Sequence, residues 1–185
     1  MKLTSLLTAT ALLALPTFAS AEALTAFDVA EDHTRFIFAA QPVFDDGMPA
    51  YGNAFVTQGY IYPSGTLSNG DEVVKSNGSP AYPDLVVGTW TCDGYFVGDG
   101  MRTETGAIVM TRQVYHFNTG DILISHGPEL VDAGVPFDRV VTGGTGDYAQ
   151  ASELQQVMLG MSEGFGVRLQ FEIEDNDLAF LNDGN

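Results

Sequence analysis

Six side chains carry most of the chemical options in this sequence: Tyr60, Trp90, Cys92, Tyr95, Arg112 and His116. Arg112 alternates with Met110 and Val114, with Ile108 further back and His116 further on. An arginine among apolar neighbours must face a carboxylate, a ligand anion or solvent, because burying it unpaired is costly. If its face is interior, Arg112 orients an anionic or carbonyl-bearing ligand against a wall of Tyr60, Trp90 or Tyr95. If exterior, it pairs with an acid on a neighbouring strand. Cys92 follows Trp90 along one face and reads as a small buried hydrophobe. A nucleophilic thiol needs a base or a positive charge beside it, and Asp93 supplies neither at neutral pH. No catalytic residue is assigned.

Metal chemistry has little support. His116 and His126 flank the Thr119-Gly120 turn on neighbouring strands but are far from directly opposite. A site needs three or four convergent ligands, and neither H-x-H nor H-E-x-x-H spacing occurs. The Asp-Gly pairs at Asp46, Asp93, Asp99 and Asp183 are turn chemistry, and Glu172 to Asp177 has no regular calcium loop. The glycine-rich run Val141 to Gly146 lacks the Lys-Ser or Lys-Thr and following helix of a phosphate loop, so it reads as a structural turn. No metal and no cofactor is expected.

The elements that would position these residues are strands. The chain has 185 residues, 24 acidic against 7 basic, and a net charge of −17. Hydrophobic residues make up 45%, enough for a packed core and too many for a disordered chain. So acidic a chain has nothing to neutralise phosphates, which argues against nucleic acid and anionic membranes as partners. Lys2, the apolar run Leu6 to Leu15 and the Ala19-Ser20-Ala21 cleavage pattern predict a secretory signal over residues 1–21. Pro16 interrupts the apolar run, which is too short to span a bilayer. The expected product is a secreted or periplasmic domain, residues 22–185, without a membrane span. Cys92 is the one cysteine, so no internal disulfide holds the fold, and stability must come from core burial.

β-Branched and aromatic runs separated by Gly, Pro, Asn and Asp predict eight strands. They are Arg35 to Ala39, Asn53 to Tyr62, Leu85 to Val97, Ala107 to Asn118, Asp121 to His126, Phe137 to Thr142, Leu154 to Leu159 and Phe165 to Ile173. Thr119-Gly120 is a tight hairpin signal. Pro63 to Asp84 reads as a long loop, and the acidic tail from Asp175 as frayed. In the last strand Phe165, Val167, Leu169, Phe171 and Ile173 alternate with Gly166, Arg168, Gln170 and Glu172, the pattern of a half-buried antiparallel strand. The second to fourth strands carry large apolar residues on both faces. One face fills an interior and the other meets a subunit or an N-terminal cover. Alternation leaves a closed barrel and a sandwich both open.

The stretch Gly120 to Val157 resembles the barrel family of plant allene oxide cyclases and dirigent proteins. The resemblance rests on Gly120, the strand into His126-Gly127-Pro128, the turn Val141 to Gly146 followed by Tyr148, and Leu154-Gln155-Gln156-Val157. Adjacent glycines there permit positive φ and close backbone approach at a bulge. The resemblance implies an eight-stranded antiparallel, calycin-type barrel with a small-molecule cavity, assembled as a homotrimer. It does not carry the cyclase chemistry over. The plant cyclase's first strand bears Glu and Asn, whereas Arg35 to Ala40 has neither a carboxylate nor an amide. The His-Asp pair of the dirigent pattern is also missing, because Thr34 follows His33. The leading expectation is an exported barrel that binds a small, largely apolar molecule. One alternative is an isomerase, cyclase or dirigent-like protein steering a reactive intermediate by shape. Another is a structural barrel filled by its own side chains.

Overall fold

The computed structural model describes residues 24–174 save 69, 71, 72, 163 and 165. The signal segment, the tail from Asp175 and Phe165 lie outside these residues. Nine strands form one sheet: β1 (Ala26–Glu31), β2 (Ile37–Phe38), β3 (Ala54–Pro63), β4 (Gly88–Phe96), β5 (Ala107–Phe117), β6 (Ile122–Leu130), β7 (Pro136–Gly144), β8 (Glu153–Met161) and β9 (Val167–Glu174). From β3 to β9 each strand pairs antiparallel with the next, and β1 pairs with both β9 and β3. This closes an eight-stranded barrel, with β2 an extra two-residue strand on the start of β3. Closure leaves the barrel strands without an unpaired edge.

The first strand is a correction. Arg35 to Ala39 is not a barrel strand: His33–Arg35 is a 3₁₀ turn, and only Ile37–Phe38 pairs. Asp32 makes the break, its Oδ1 accepting from Thr34 N (2.9 Å) and Thr34 Oγ1 (2.7 Å), a local turn that competes with the ladder. The true first strand is Ala-Phe-Asp-Val-Ala-Glu, 26–31. It alternates Phe27, Val29 and Glu31 inward against Asp28 and Ala30 outward, and all five are buried. The carboxylate that the first strand was expected to lack is therefore present, at Glu31.

Asp28 and Ala30 are buried because the chain between β3 and β4 folds back over them. Leu67, Val73 and Val74 form a second core there with Ala30 and Tyr62, and Tyr60 packs against it. Asp28 Oδ2 accepts from Leu67 N (2.8 Å), while burial raises the carboxyl's pKa. The predicted long loop is thus a packed cover, and it accounts for the apolar outer faces of Tyr60 and Tyr62 without a partner. Ile37, Val56, Tyr95 and Val140 stay exposed. Gly59 lets β1 pass close to β3, since a Cβ there would stand 2.3 Å from the Ala30 carbonyl oxygen. The 120 turn closes as a hairpin, Gly120 taking φ +97° and its N–H bonding Phe117 O (2.9 Å). In the 141–146 run the β6–β7 register slips between Ile124 and Ser125. A Cβ on Gly144 would meet the Tyr148 carbonyl oxygen, so close approach explains that glycine, and positive φ is confined to Gly146.

Candidate functional site

Inward-facing residues fill the barrel in three levels. At the end where β1 starts, Phe27, Tyr115, Phe117 and Phe171 pack ring against ring at centroid distances of 5.2 to 5.4 Å, and Tyr148 stacks on Phe117 at 4.5 Å. A polar layer lies above them. At the other end a partly open cavity of about 150 Å³ remains.

The polar layer is organised by Arg139 and Glu129. Arg139, on β7, is 1% exposed. Its Nε donates to Ser125 Oγ (3.1 Å), Nη1 to the carbonyls of Pro128 (2.9 Å) and Gly127 (3.4 Å), and Nη2 to Thr111 Oγ1 (2.9 Å) and Thr111 O (3.2 Å). The Glu129 carboxylate is its counter-charge, with Oε1 4.0 Å from Nη1. That oxygen also accepts from Thr111 Oγ1 (2.7 Å), Gln113 Nε2 (2.8 Å) and Cys92 Sγ (3.5 Å), and Oε2 accepts from Gln156 Nε2 (3.4 Å). Gln113 in turn donates to Gln156 Oε1 (3.1 Å) and accepts from Trp90 Nε1 (3.3 Å) and the Tyr115 hydroxyl. Nearly every polar atom is satisfied within the barrel, which is what a buried network needs to be stable.

The cavity sits on this layer. Its floor is polar, built from Glu31, Thr57, Cys92 and Glu129, and its wall includes the rings of Phe36, Phe55, Trp90 and Phe96 with Met158 and Leu169. Glu31 closes the end of β1, with Oε2 accepting from Val167 N (3.0 Å). Burial, with the neighbouring charges of Glu129 and Asp32 adding to it, pushes its pKa up to about 8, so it is mostly protonated at neutral pH. The Thr57 hydroxyl stands beside that carboxyl and opposes the shift, but it has no well-formed hydrogen bond and is fully buried. Burial and the same two glutamates push the Cys92 thiol well above its ordinary pKa, so it stays protonated and is no nucleophile.

Of the six residues singled out from the sequence, the structure brings Trp90 and Cys92 together in the cavity lining. The other four stand outside the barrel. Tyr60 faces the β3–β4 cover, its hydroxyl donating to Gly78 O (2.8 Å). Tyr95 is half exposed, and His116 is exposed on the outer face. Arg112 is exterior, with Nε (2.9 Å) and Nη2 (2.7 Å) both donating to Asp93 Oδ1, the exterior pairing that its pattern left open. Inward on β5 are Val109, Thr111, Gln113, Tyr115 and Phe117, one residue out of step with Arg112. His126 lies directly opposite Arg112, again outside. Among the described residues no three His, Cys, Asp or Glu side chains converge as metal ligands.

Sequence reasoning missed Glu31, Glu129 and Arg139. The signal for Arg139 was available, since it alternates with Phe137 and Val141 as Arg112 does with Met110 and Val114. Glu129 lies past His126, where the strand signal of the sequence stops, and Glu31 lies before Arg35, where the first apolar run begins.

Fold and site together define a closed antiparallel barrel with a charged polar layer beneath a half-open apolar cavity. Two solved structures share this fold. The pterocarpan synthase dirigent protein PsPTS1 aligns over 80% of this chain and 92% of its own, with a TM-score of 0.57 and 11% identity. The pterocarpan synthase dirigent protein GePTS1 aligns over 80% and 85%, with a TM-score of 0.56 and 12% identity. The barrel thus has the fold of these dirigent proteins, the fold that the Gly120 to Val157 resemblance implies. At such identity the likeness is one of fold. No protein-family model and no curated protein matches the chain.

Proposed function

We propose that this protein binds a small, largely apolar molecule in the half-open end of its barrel. The cavity carries this reading: about 150 Å³ bounded mainly by aromatic, aliphatic and methionine side chains over a few polar groups. A cavity of that size holds a single benzene-sized ring. The structural alternative requires a barrel filled by its own side chains, as at the opposite end, and this end is not filled. Export after cleavage at Ala21 and assembly as a homotrimer belong to the same proposal. The exposed Ile37, Val56 and Tyr95 on neighbouring strands β2 to β4 supply apolar surface for the assembly.

Trp90 is the chain's single tryptophan and lines the cavity, so its fluorescence reports occupancy. Toluene should change the emission saturably, and Val109→Phe, which fills the cavity, should abolish the change. Unaltered emission up to the solubility limit of toluene would remove the binding reading.

A second reading is supported by Glu31. A neutral carboxyl facing a water-poor cavity is a general acid, able to protonate a bound reactive intermediate while the walls fix its shape. Two proteins of this fold are named pterocarpan synthases. Turnover of an intermediate that collapses in Glu31→Gln, with binding retained, would establish chemistry over simple binding.

A further inference from the structure

We infer that the barrel cavity is selective for an organic cation: a ring-sized apolar amine whose ammonium group seats between Glu31 and Glu129. This deepens the binding reading proposed above and rests on it.

Three observations carry the inference. The first is the sign of the floor. Two carboxyl side chains line the cavity, and among the described lining residues there is no Lys, Arg or His. Arg139 lies behind Glu129, fully buried, with its donors engaged by Ser125, Thr111, Gly127 and Pro128. Arg102, beside the lining residues Met101 and Thr103, is tied to Asp46 at 2.9 Å and lies over the Phe44 ring at 3.9 Å. Among the described lining residues no cation is left to receive a carboxylate ligand, whereas Glu31 can release its proton to balance an entering cation.

The second is the wall. Phe36 and Phe55 stack at 5.2 Å, Phe55 and Phe96 meet at 5.3 Å, and Trp90 completes an aromatic lining. Aromatic faces attract a desolvated cation and do nothing comparable for an anion. The third is a poorly satisfied polar atom. Thr57 Oγ1 is buried at the floor beside the Glu31 carboxyl without a well-formed hydrogen bond, and a polar head group in the cavity would supply one.

The proton balance follows from the groups facing Glu31, which are Thr57 on β3, Cys92 on β4, Glu129 on β6 with Arg139 behind it, the Val167 N–H on β9 and the adjacent Asp32. Without ligand Glu31 is held mostly neutral at pH 7. An ammonium ion entering favours the ionised carboxylate, so the Glu31 O–H bond breaks and its proton goes to solvent. Charge in the cavity then balances, with one ammonium against one new carboxylate.

The test is a matched series of benzylamine, benzyl alcohol, benzoate and toluene, followed by Trp90 fluorescence and by calorimetry at pH 7 in two buffers of different ionisation enthalpy. Benzylamine should bind at least about tenfold more tightly than benzoate. Its binding should release close to one proton, and benzyl alcohol binding none. Glu31→Gln should remove the proton release and bring benzylamine to or below benzyl alcohol, with Trp90 emission and circular dichroism confirming its fold. Benzoate binding as tightly as benzylamine would overturn the inference. So would toluene binding alone, or benzylamine binding without proton release, while the apolar-ligand reading survived. If none of the four binds, that reading falls as well and takes this one with it.

Discussion

The two ends of this barrel are built from the same kinds of residue and reach opposite results. Both are rich in aromatic rings that face inward. At the closed end Phe27 on β1 pairs directly with Phe171 on β9, and Tyr115 and Phe117 reach across to them, so ring meets ring and nothing is left over. At the open end Phe55, Trp90 and Phe96 alternate with Thr57 and Cys92, and the small side chains leave space between the large ones. Aromatic content therefore does not decide whether a barrel is plugged or hollow. The placement of small inward residues does, by the ordinary rules of packing density. The polar layer between the ends serves each differently: it roofs the plug with satisfied hydrogen bonds and gives the cavity a floor with charge.

If the ends differ in this way, the layer between them should matter most. Arg139→Met strips Glu129 of its counter-charge and leaves the carbonyls of Gly127, Pro128 and Thr111 without their donor. The expected loss is about 3–5 kcal/mol, read by urea unfolding followed through Trp90. A loss under about 1 kcal/mol would mean that the layer is solvated and the barrel wetter than described. The ends themselves are then compared by one substitution made twice. Phe27→Ala in the plug should cost about 3–5 kcal/mol, because its neighbours cannot collapse into the void. Phe55→Ala borders space that already exists and should cost about 2 kcal/mol, close to transfer alone. Equal costs at the two sites would break the comparison.

Acidity separates the ends next. The carboxyl of Glu31 is held up near 8 in the folded chain against its ordinary 4.5. The folded state thus binds a proton that the unfolded state has released. The stability that this proton provides is complete below the unfolded value, falls as pH rises, and is gone above about 8. Between pH 5 and pH 7 the loss should be roughly 2 kcal/mol, and Glu31→Gln should flatten that slope. Asp28, raised by burial under the β3–β4 cover, adds a change of the same sign that the Glu31 variant leaves in place. A slope unchanged in Glu31→Gln would place the titration elsewhere.

Much of the barrel was legible. Period-two alternation locates β3 to β9 and groups the inward residues of β9 correctly, and the turn at Gly120 follows from glycine chemistry. The first strand was not legible. The pattern Phe27-x-Val29-x-Glu31 ends inward on an acid, whereas a search for strands rewards the apolar run Arg35 to Ala39 that follows. The site was harder still, because a barrel's inside and outside differ by one residue of phase and both faces of β4 and β5 carry apolar side chains. Trp90 and Cys92 fell on the inner phase, and Tyr95, Arg112 and His116 on the outer. What fixes the phase is global closure, with Phe117 facing Phe27 across the barrel, and no window of the sequence contains that pairing.

Arg112 and Arg139 show how much that phase is worth. Each alternates with apolar residues along its strand, and each meets an acid: Arg112 meets Asp93 at 2.7 Å, Arg139 meets Glu129 at 4.0 Å. By distance alone the outer pair is the stronger. Both outer partners are, however, about half exposed, so water competes for their charges and holding two mobile side chains in one geometry costs entropy. A double-mutant cycle on Asp93 and Arg112 should return at most about 1 kcal/mol, and less at high salt. The inner pair, longer but almost fully buried, sits where removing one partner leaves an unpaired charge in the barrel. A coupling of several kcal/mol between Asp93 and Arg112 would mean that this outer face is buried in the assembled protein, and it would turn the smallest expected effect into evidence for a subunit interface.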